Sequence, residues 1–217
     1  MATSTPKEHP ALAAFRKSNA GKVKVAVSDI DGILRGKYLH RDKFIGAADS
    51  GFGFCDVVFG WDSHDVCYDN TTVTGWQHGY PDATAKIDLD THRKVPWDGD
   101  IDFFLAEFVN ADGSPHPVCP RQTLKRVLKR AEKLGVRAMT GMEFEWFNFV
   151  ETPHSWAAKQ GVGPTPLTPG MFGYSLLRMA DNRPFFSALM DEMPRIGAPL
   201  EGLHTETGPG VFEAAIA

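Results

Sequence analysis

Four glutamates and one histidine are spaced for shared chemistry. Glu143 and Glu145 sit two positions apart in Met142-Glu143-Phe144-Glu145-Trp146. Side chains two apart on a strand point to the same face. An extended segment here sets two carboxylates side by side, with bulky apolar Phe144 and Trp146 on the opposite face. Two anions held together raise one another's pKa unless a cation compensates. Hard divalent ions such as magnesium and manganese take oxygen ligands of this kind. A strand with one solvated polar face accounts for the same pair without a metal.

Glu206 and Glu213 flank the turn-forming run Thr207-Gly208-Pro209-Gly210-Val211-Phe212. Two strands joined by such a turn bring both carboxylates to one surface. His204 lies two positions before Glu206 and shares its face if the stretch is extended. Taken alone, His204 reads more plainly as a hydrogen-bonded polar histidine. Four glutamates on neighbouring strands could hold more than one divalent ion, and clustered ions neutralise phosphate oxygens.

The elements that must carry these residues follow from periodicity. Ala11–Lys17 allows a short helix in an otherwise polar first segment, residues 1–22. Val23, Val25 and Val27 alternate and predict a strand, Asp31-Gly32 a turn, and the run from Ile33 to Leu39 a second strand of a hairpin. Residues 49–65 are rich in glycine and aromatics and read as loop. Strands are expected in Thr84–Trp97 and Asp100–Asn110, with a turn at 111–114. From Pro120, Leu124, Val127, Leu128, Ala131 and Leu134 recur at helical spacing, with proline at the start and Gly135 after the end. Lys125, Arg126, Lys129, Arg130 and Lys133 make a basic stripe that reads as a solvated helix face. A long strand is expected from Val136 to Val150, irregular chain through the prolines from Pro153 to Pro169, a helix over Pro184–Ile196, and a strand–turn–strand unit to the end. The apolar stop at Ala217, with no turn or polar cap, suggests a piece of a longer protein.

Composition narrows the class. A formal net charge of −4 leaves no sequence-wide basic footprint for nucleic acid. No apolar run approaches the length of a membrane helix, and the first residues lack the apolar core of a secretory signal, so the cytoplasm is the expected location. Cys55, Cys67 and Cys119 are odd in number and lack zinc spacing, so they read as reduced thiols.

Two motifs together carry a family resemblance. Gly141-Met142-Glu143-Phe144-Glu145-Trp146 resembles the G-x-E-x-E-aromatic strand of glutamine synthetases, and His204-Thr205-Glu206 through Pro209-Gly210-Val211-Phe212-Glu213 resembles their H-H-E…P-G-Q-x-E motif. Asp29–Lys37, Asp82–Trp97 and the Cys119-Pro120-Arg121 helix entry look like further landmarks of that family. The resemblance implies an α+β chain: a β-grasp-like domain over 23–112, then from 119 to 217 the first part of a catalytic α/β domain with an antiparallel sheet. It implies ATP-dependent ligation of the glutamate γ-carboxylate to ammonia or an amine through γ-glutamyl phosphate, with magnesium or manganese and ATP as cofactors. Glu143 would bind the metal that works with ATP, with His204 as a second contact on the nucleotide side. Glu145, Glu206 and Glu213 would bind the other metal. Asp62 or Asp65, in Trp61-Asp62-Ser63-His64-Asp65, would be the catalytic aspartate offered to a neighbouring subunit, so a ring-type homo-oligomer is implied. Thr205 replaces the family's second histidine and Val211 its glutamine, which favours an organic amine as acceptor. The later metal ligands and substrate arginines of the family lie beyond residue 217.

Two rival readings stand beside this one. A chain with half a catalytic domain can serve as a non-catalytic subunit or be a gene fragment. Val25–Leu34 also mimics the nucleophile loop of haloacid-dehalogenase phosphatases, with Asp29 as nucleophile and Asp31 as general acid. That loop requires a following helix in a parallel α/β sheet. The plain alternative for Asp31-Gly32 is a hairpin turn.

Overall fold

The computed structural model describes residues 8–216. By packing, the chain divides into two compact units, residues 1–138 and 139–217. It is a mixed α+β chain, and the burial alternation is clearest in β5, Ile101–Val109.

The first unit opens with α1 (Pro10–Lys17), whose N-terminus is capped by His9: its Nδ1 accepts the Ala11 N–H at 3.2 Å. Five strands follow: β1 (Lys22–Ser28), β2 (Leu34–His40), β3 (Phe52–Cys55), β4 (Asp82–Val95) and β5 (Ile101–Val109). Their order in the sheet is β2-β1-β5-β4-β3, with β1 parallel to β5 and the other pairs antiparallel. Val23, Val25 and Val27 are buried, as the alternation predicts. They join a core with Phe15 of α1, Phe44 of α2 (Arg41–Ser50) and Phe104 of β5. Phe44 stands 4.8 Å from both the Phe15 and the Phe104 rings. In β4 the register shifts between Asp88 and Arg93, and Thr91 Oγ1 takes the Leu105 N–H at 2.8 Å across the irregularity.

Several expectations need correction here. Residues 41–55 hold a helix and a strand, α2 and β3, where periodicity left no signal: β3 pairs only four residues with β4 and alternates glycine with phenylalanine. The helix α3 (Pro120–Lys133) forms as expected but clusters with the first unit. It meets the sheet through its charged side. Arg121 reaches Asp88 at 2.7 Å, and Lys125 reaches Glu107 at 2.7 Å. Lys125 of the basic stripe is thus engaged by carboxylates, while Leu124 and Val127 of the apolar stripe stay exposed.

The phosphatase reading fails on topology. After β1 the chain turns back into antiparallel β2, not into a helix. Asp29 is buried and serves the turn: its Oδ1 accepts the Asp31 and Ile33 N–H groups, and its Oδ2 pairs with Arg35 Nε at 2.8 Å.

The second unit is a three-stranded antiparallel sheet in the order β6-β8-β7, from β6 (Met142–Phe147), β7 (Leu200–Thr205) and β8 (Val211–Ile216). The expected long strand is confined to β6. The proline segment contains α4 (Pro153–Ala158), opened by a capping box between Thr152 and Ser155, a local signal that overrides the proline content. Two further helices, α5 (Leu176–Asp181) and α6 (Arg183–Arg195), precede β7. Phe186 of α6 packs edge-on to Phe212 of β8 at 4.9 Å. A wholly apolar groove of about 390 Å³ runs between α6 and this face, lined by Phe144, Trp146, Leu189 and Met193. One face of the sheet is thereby committed to packing and the other is left polar.

Candidate functional site

The polar face of the second sheet gathers the glutamates. Glu145 is the register partner of Glu213, and Glu213 is the register partner of His204. One row therefore crosses all three strands, with Glu213 in the middle. Glu143 lies on the same face of β6, opposite Ala215, one step along from that row.

Glu206 joins from beyond the end of β7. Its backbone N–H still donates to Val211 O at 2.9 Å, which closes the turn and holds it against β8. The turn depends on Gly210, with φ of 75°. A β-carbon there would come within 2.4 Å of the Asn148 carbonyl oxygen. The Gly210 N–H is bound by Thr168 O at 2.9 Å, so the loop before α5 also pins the turn.

Ligand atoms of His204, Glu206 and Glu213 all fall within 4.8 Å of one another. Glu206 Oε1 is 3.4 Å from His204 Nδ1, and Glu213 Oε1 is 3.9 Å from His204 Nε2. All three residues are half-buried. His204 Nδ1 is buried and makes no hydrogen bond. Two carboxylates and an imidazole with a buried, unsatisfied nitrogen form a donor set that suits a divalent cation. Glu143 and Glu145 are exposed and stand outside that grouping.

Sequence reasoning missed the support of the histidine. Tyr174 packs its ring against the His204 imidazole, tilted by 38° with ring centroids 4.4 Å apart. Its backbone N–H donates to Thr205 O at 2.7 Å. No spacing rule marks Tyr174, because it comes from an irregular loop that docks only in the folded chain.

Asp62 and Asp65 belong to the first unit and are both engaged locally. Asp62 Oδ1 accepts the His64 and Val66 N–H groups at 2.8 and 3.0 Å. Those bonds hold its pKa below the usual carboxylate range, the Val66 bond contributing most. Asp65, in the left-handed region at φ 63°, pairs with Arg35 Nη1 at 2.6 Å. Arg35 thus bridges Asp29 and Asp65 and lies over the Trp61 ring.

Residues 117–217 match the glutamine synthetase catalytic domain. The type-1 glutamine synthetase 2 of Dictyostelium discoideum is 53% identical over 89% of this chain. The chain belongs to the glutamine synthetase family. A glutamate–isopropylamine ligase of a Pseudomonas species is 31% identical over 93% of the chain, and a gamma-glutamylethanolamide synthetase of Streptomyces coelicolor 30% over 89%. The chain spans 37%, 44% and 42% of these three family members, less than half of each. Among solved structures, apo GmaS superposes with a TM-score of 0.69 over 95% of this chain and 44% of its own, at 21% identity. The cryo-EM structure of Plasmodium falciparum glutamine synthetase gives 0.68 over 99% and 45%, at 13% identity. These two likenesses establish a glutamine-synthetase-like fold. No helix among the described residues is long and apolar enough to cross a membrane.

Proposed function

We propose that this chain is the N-terminal part of a cytoplasmic ATP-dependent ligase that joins the glutamate γ-carboxylate to ammonia or an organic amine through γ-glutamyl phosphate. The observation that carries this reading is the convergence of His204, Glu206 and Glu213, with Glu145 facing Glu213 across the ladder. Glu145, Glu206 and Glu213 would hold one magnesium or manganese ion, Glu143 a second, and His204 would stand on the nucleotide side. A divalent ion there supplies charge neutralisation for a phosphoryl group passing between two anions. The protein's own part is to keep these carboxylates converged on a packed sheet, so that their charge is oriented before substrate arrives.

Val211 is buried two positions before Glu213 on the same face of β8. Its side chain lacks the amide of the family motif, which supports an organic amine as acceptor, whereas Thr205 pairs with Phe212 on the opposite face and does not bear on that choice. The first unit is read as the β-grasp-like domain: helices α1 and α2 pack on a mixed sheet whose parallel β1 and β5 are central. Asp62 or Asp65 would serve the active site of a neighbouring subunit in a ring-type homo-oligomer.

The test uses the full-length protein and amine-dependent phosphate release with glutamate and ATP, over amines from ammonia upward in size. Glutamate-dependent turnover that rises with the right amine supports the proposal. Turnover that needs no glutamate, or that survives glutamine substitution at Glu206 and Glu213 at low magnesium, refutes it. A full-length chain that folds and assembles without any turnover would favour a non-catalytic subunit.

A further inference from the structure

Thr205 stands where the family motif has its second histidine, yet it faces away from the glutamates. It is almost completely buried, and its register partner is Phe212 on the apolar side of the sheet. Its hydroxyl donates to Phe172 O at 2.9 Å and accepts the Ser175 N–H at 2.8 Å. Its carbonyl accepts the Tyr174 N–H at 2.7 Å. One residue of β7 therefore makes three hydrogen bonds to the segment 172–175.

That segment is held in a conformation it would not choose alone. Tyr174 has φ of 56°, in the left-handed region that a bulky side chain avoids. Its ring is largely exposed, so burial does not explain the conformation. What the conformation achieves is contact with the His204 imidazole, 4.4 Å between centroids. His204 Nδ1 is the free nitrogen on the side of Glu206, and among the described residues no hydrogen bond at Nε2 fixes the ring from the other side. Groups that orient a metal-binding histidine commonly act through such a bond. Here the tilted contact with an aromatic ring takes that place.

We propose that Thr205 and Tyr174 form a clamp that positions the His204 imidazole for cation binding. Thr205 locks the backbone of 172–175, and Tyr174 carries that constraint to the imidazole. Both are positioning residues. The inference rests on the proposed ion at Glu206 and Glu213 and adds His204, whose ligand atom converges with theirs, as a further ligand to it.

The experiment is Mn2+ titration of the full-length protein, followed by loss of the free-ion electron paramagnetic resonance signal. Thr205→Val removes the hydroxyl at nearly constant shape, and Tyr174→Ala removes the ring from an exposed position that folding tolerates. Each should weaken Mn2+ binding about 10-fold, the lower end for a lost orienting partner. Thr205→Ser and Tyr174→Phe should restore affinity to within about twofold, since they keep the hydroxyl and the ring respectively. If Glu213→Gln abolishes binding while Thr205→Val and Tyr174→Ala leave it unchanged, the clamp is wrong and the metal site stands. If the wild type binds no Mn2+, or Glu213→Gln has no effect, the metal reading and the clamp fall together.

Discussion

Glu145 and Glu213 are direct register partners across the antiparallel β6–β8 ladder, two carboxylates placed on one face of adjacent strands. Like charges directly opposite one another on a sheet are destabilising. A bound cation would offset that cost. Glu145→Gln should therefore raise the melting temperature of the full-length protein in chelator by roughly 1–3 °C. The same substitution should reduce the further rise that magnesium gives the wild type. Calorimetry with and without magnesium measures both; a wild-type melt indifferent to magnesium would count against the pair as ligands.

The glutamates should separate by step. Glu206→Gln and Glu213→Gln should each lower amine-dependent phosphate release on the order of 100-fold, by removing charge stabilisation from the proposed phosphoryl transfer. Glu143→Gln should act chiefly on ATP use, seen as a raised KM for ATP. Steady-state kinetics over an ATP series distinguishes the two patterns.

Gly210→Ala should cost about 2 kcal/mol of stability, because the left-handed backbone is strained for alanine. Its new β-carbon would also meet a backbone oxygen, that of Asn148, which cannot swing aside. A shift in the urea midpoint at unchanged slope reports it.

Glu151 supplies a test in pH. Lys159, Ser155 and the Thr165 N–H, in that order of effect, lower its pKa from 4.5 to about 2. The folded pKa is depressed, so the carboxylate stabilises the native state fully above the unfolded value. That contribution is lost as pH falls from about 4.5 through about 2. The stability difference between wild type and Glu151→Gln, from urea melts at a series of pH values, should shrink across that window and be flat above it.

Asp62 and Asp65 can be tested by mixing subunits. If either serves a neighbour's site, protomers carrying Asp62→Asn or Asp65→Asn and protomers carrying Glu213→Gln should be inactive apart. Co-assembled in equal amounts, they should regain roughly a quarter of wild-type sites. Activity of the mixture no higher than its parts would confine both aspartates to the local roles they already fill.

Asp29→Asn should act on stability, by about 3 kcal/mol, since it breaks a buried ion pair and weakens the Asx turn that accepts the Asp31 and Ile33 N–H groups. Turnover of a generic phosphomonoester that depends on Asp29 would contradict this structural role.

Much of the site was legible before folding. The parity of Glu143 and Glu145, the glycines of the Thr207–Gly210 turn and the alternation of Val23, Val25 and Val27 are local facts: backbone geometry alone decides which side chains share a face. The sequence by itself therefore determined which carboxylates belong together in pairs. It could not determine that β8 lies between β6 and β7, which makes Glu213 the residue that joins both pairs. Nor could it reveal that α3 meets its sheet through Arg121 and Lys125, or that the loop carrying Tyr174 docks on Thr205. Those outcomes depend on contacts between segments distant in the chain. Periodicity reports the environment of a residue as apolar or polar, and only the packed tertiary structure decides which neighbour supplies it.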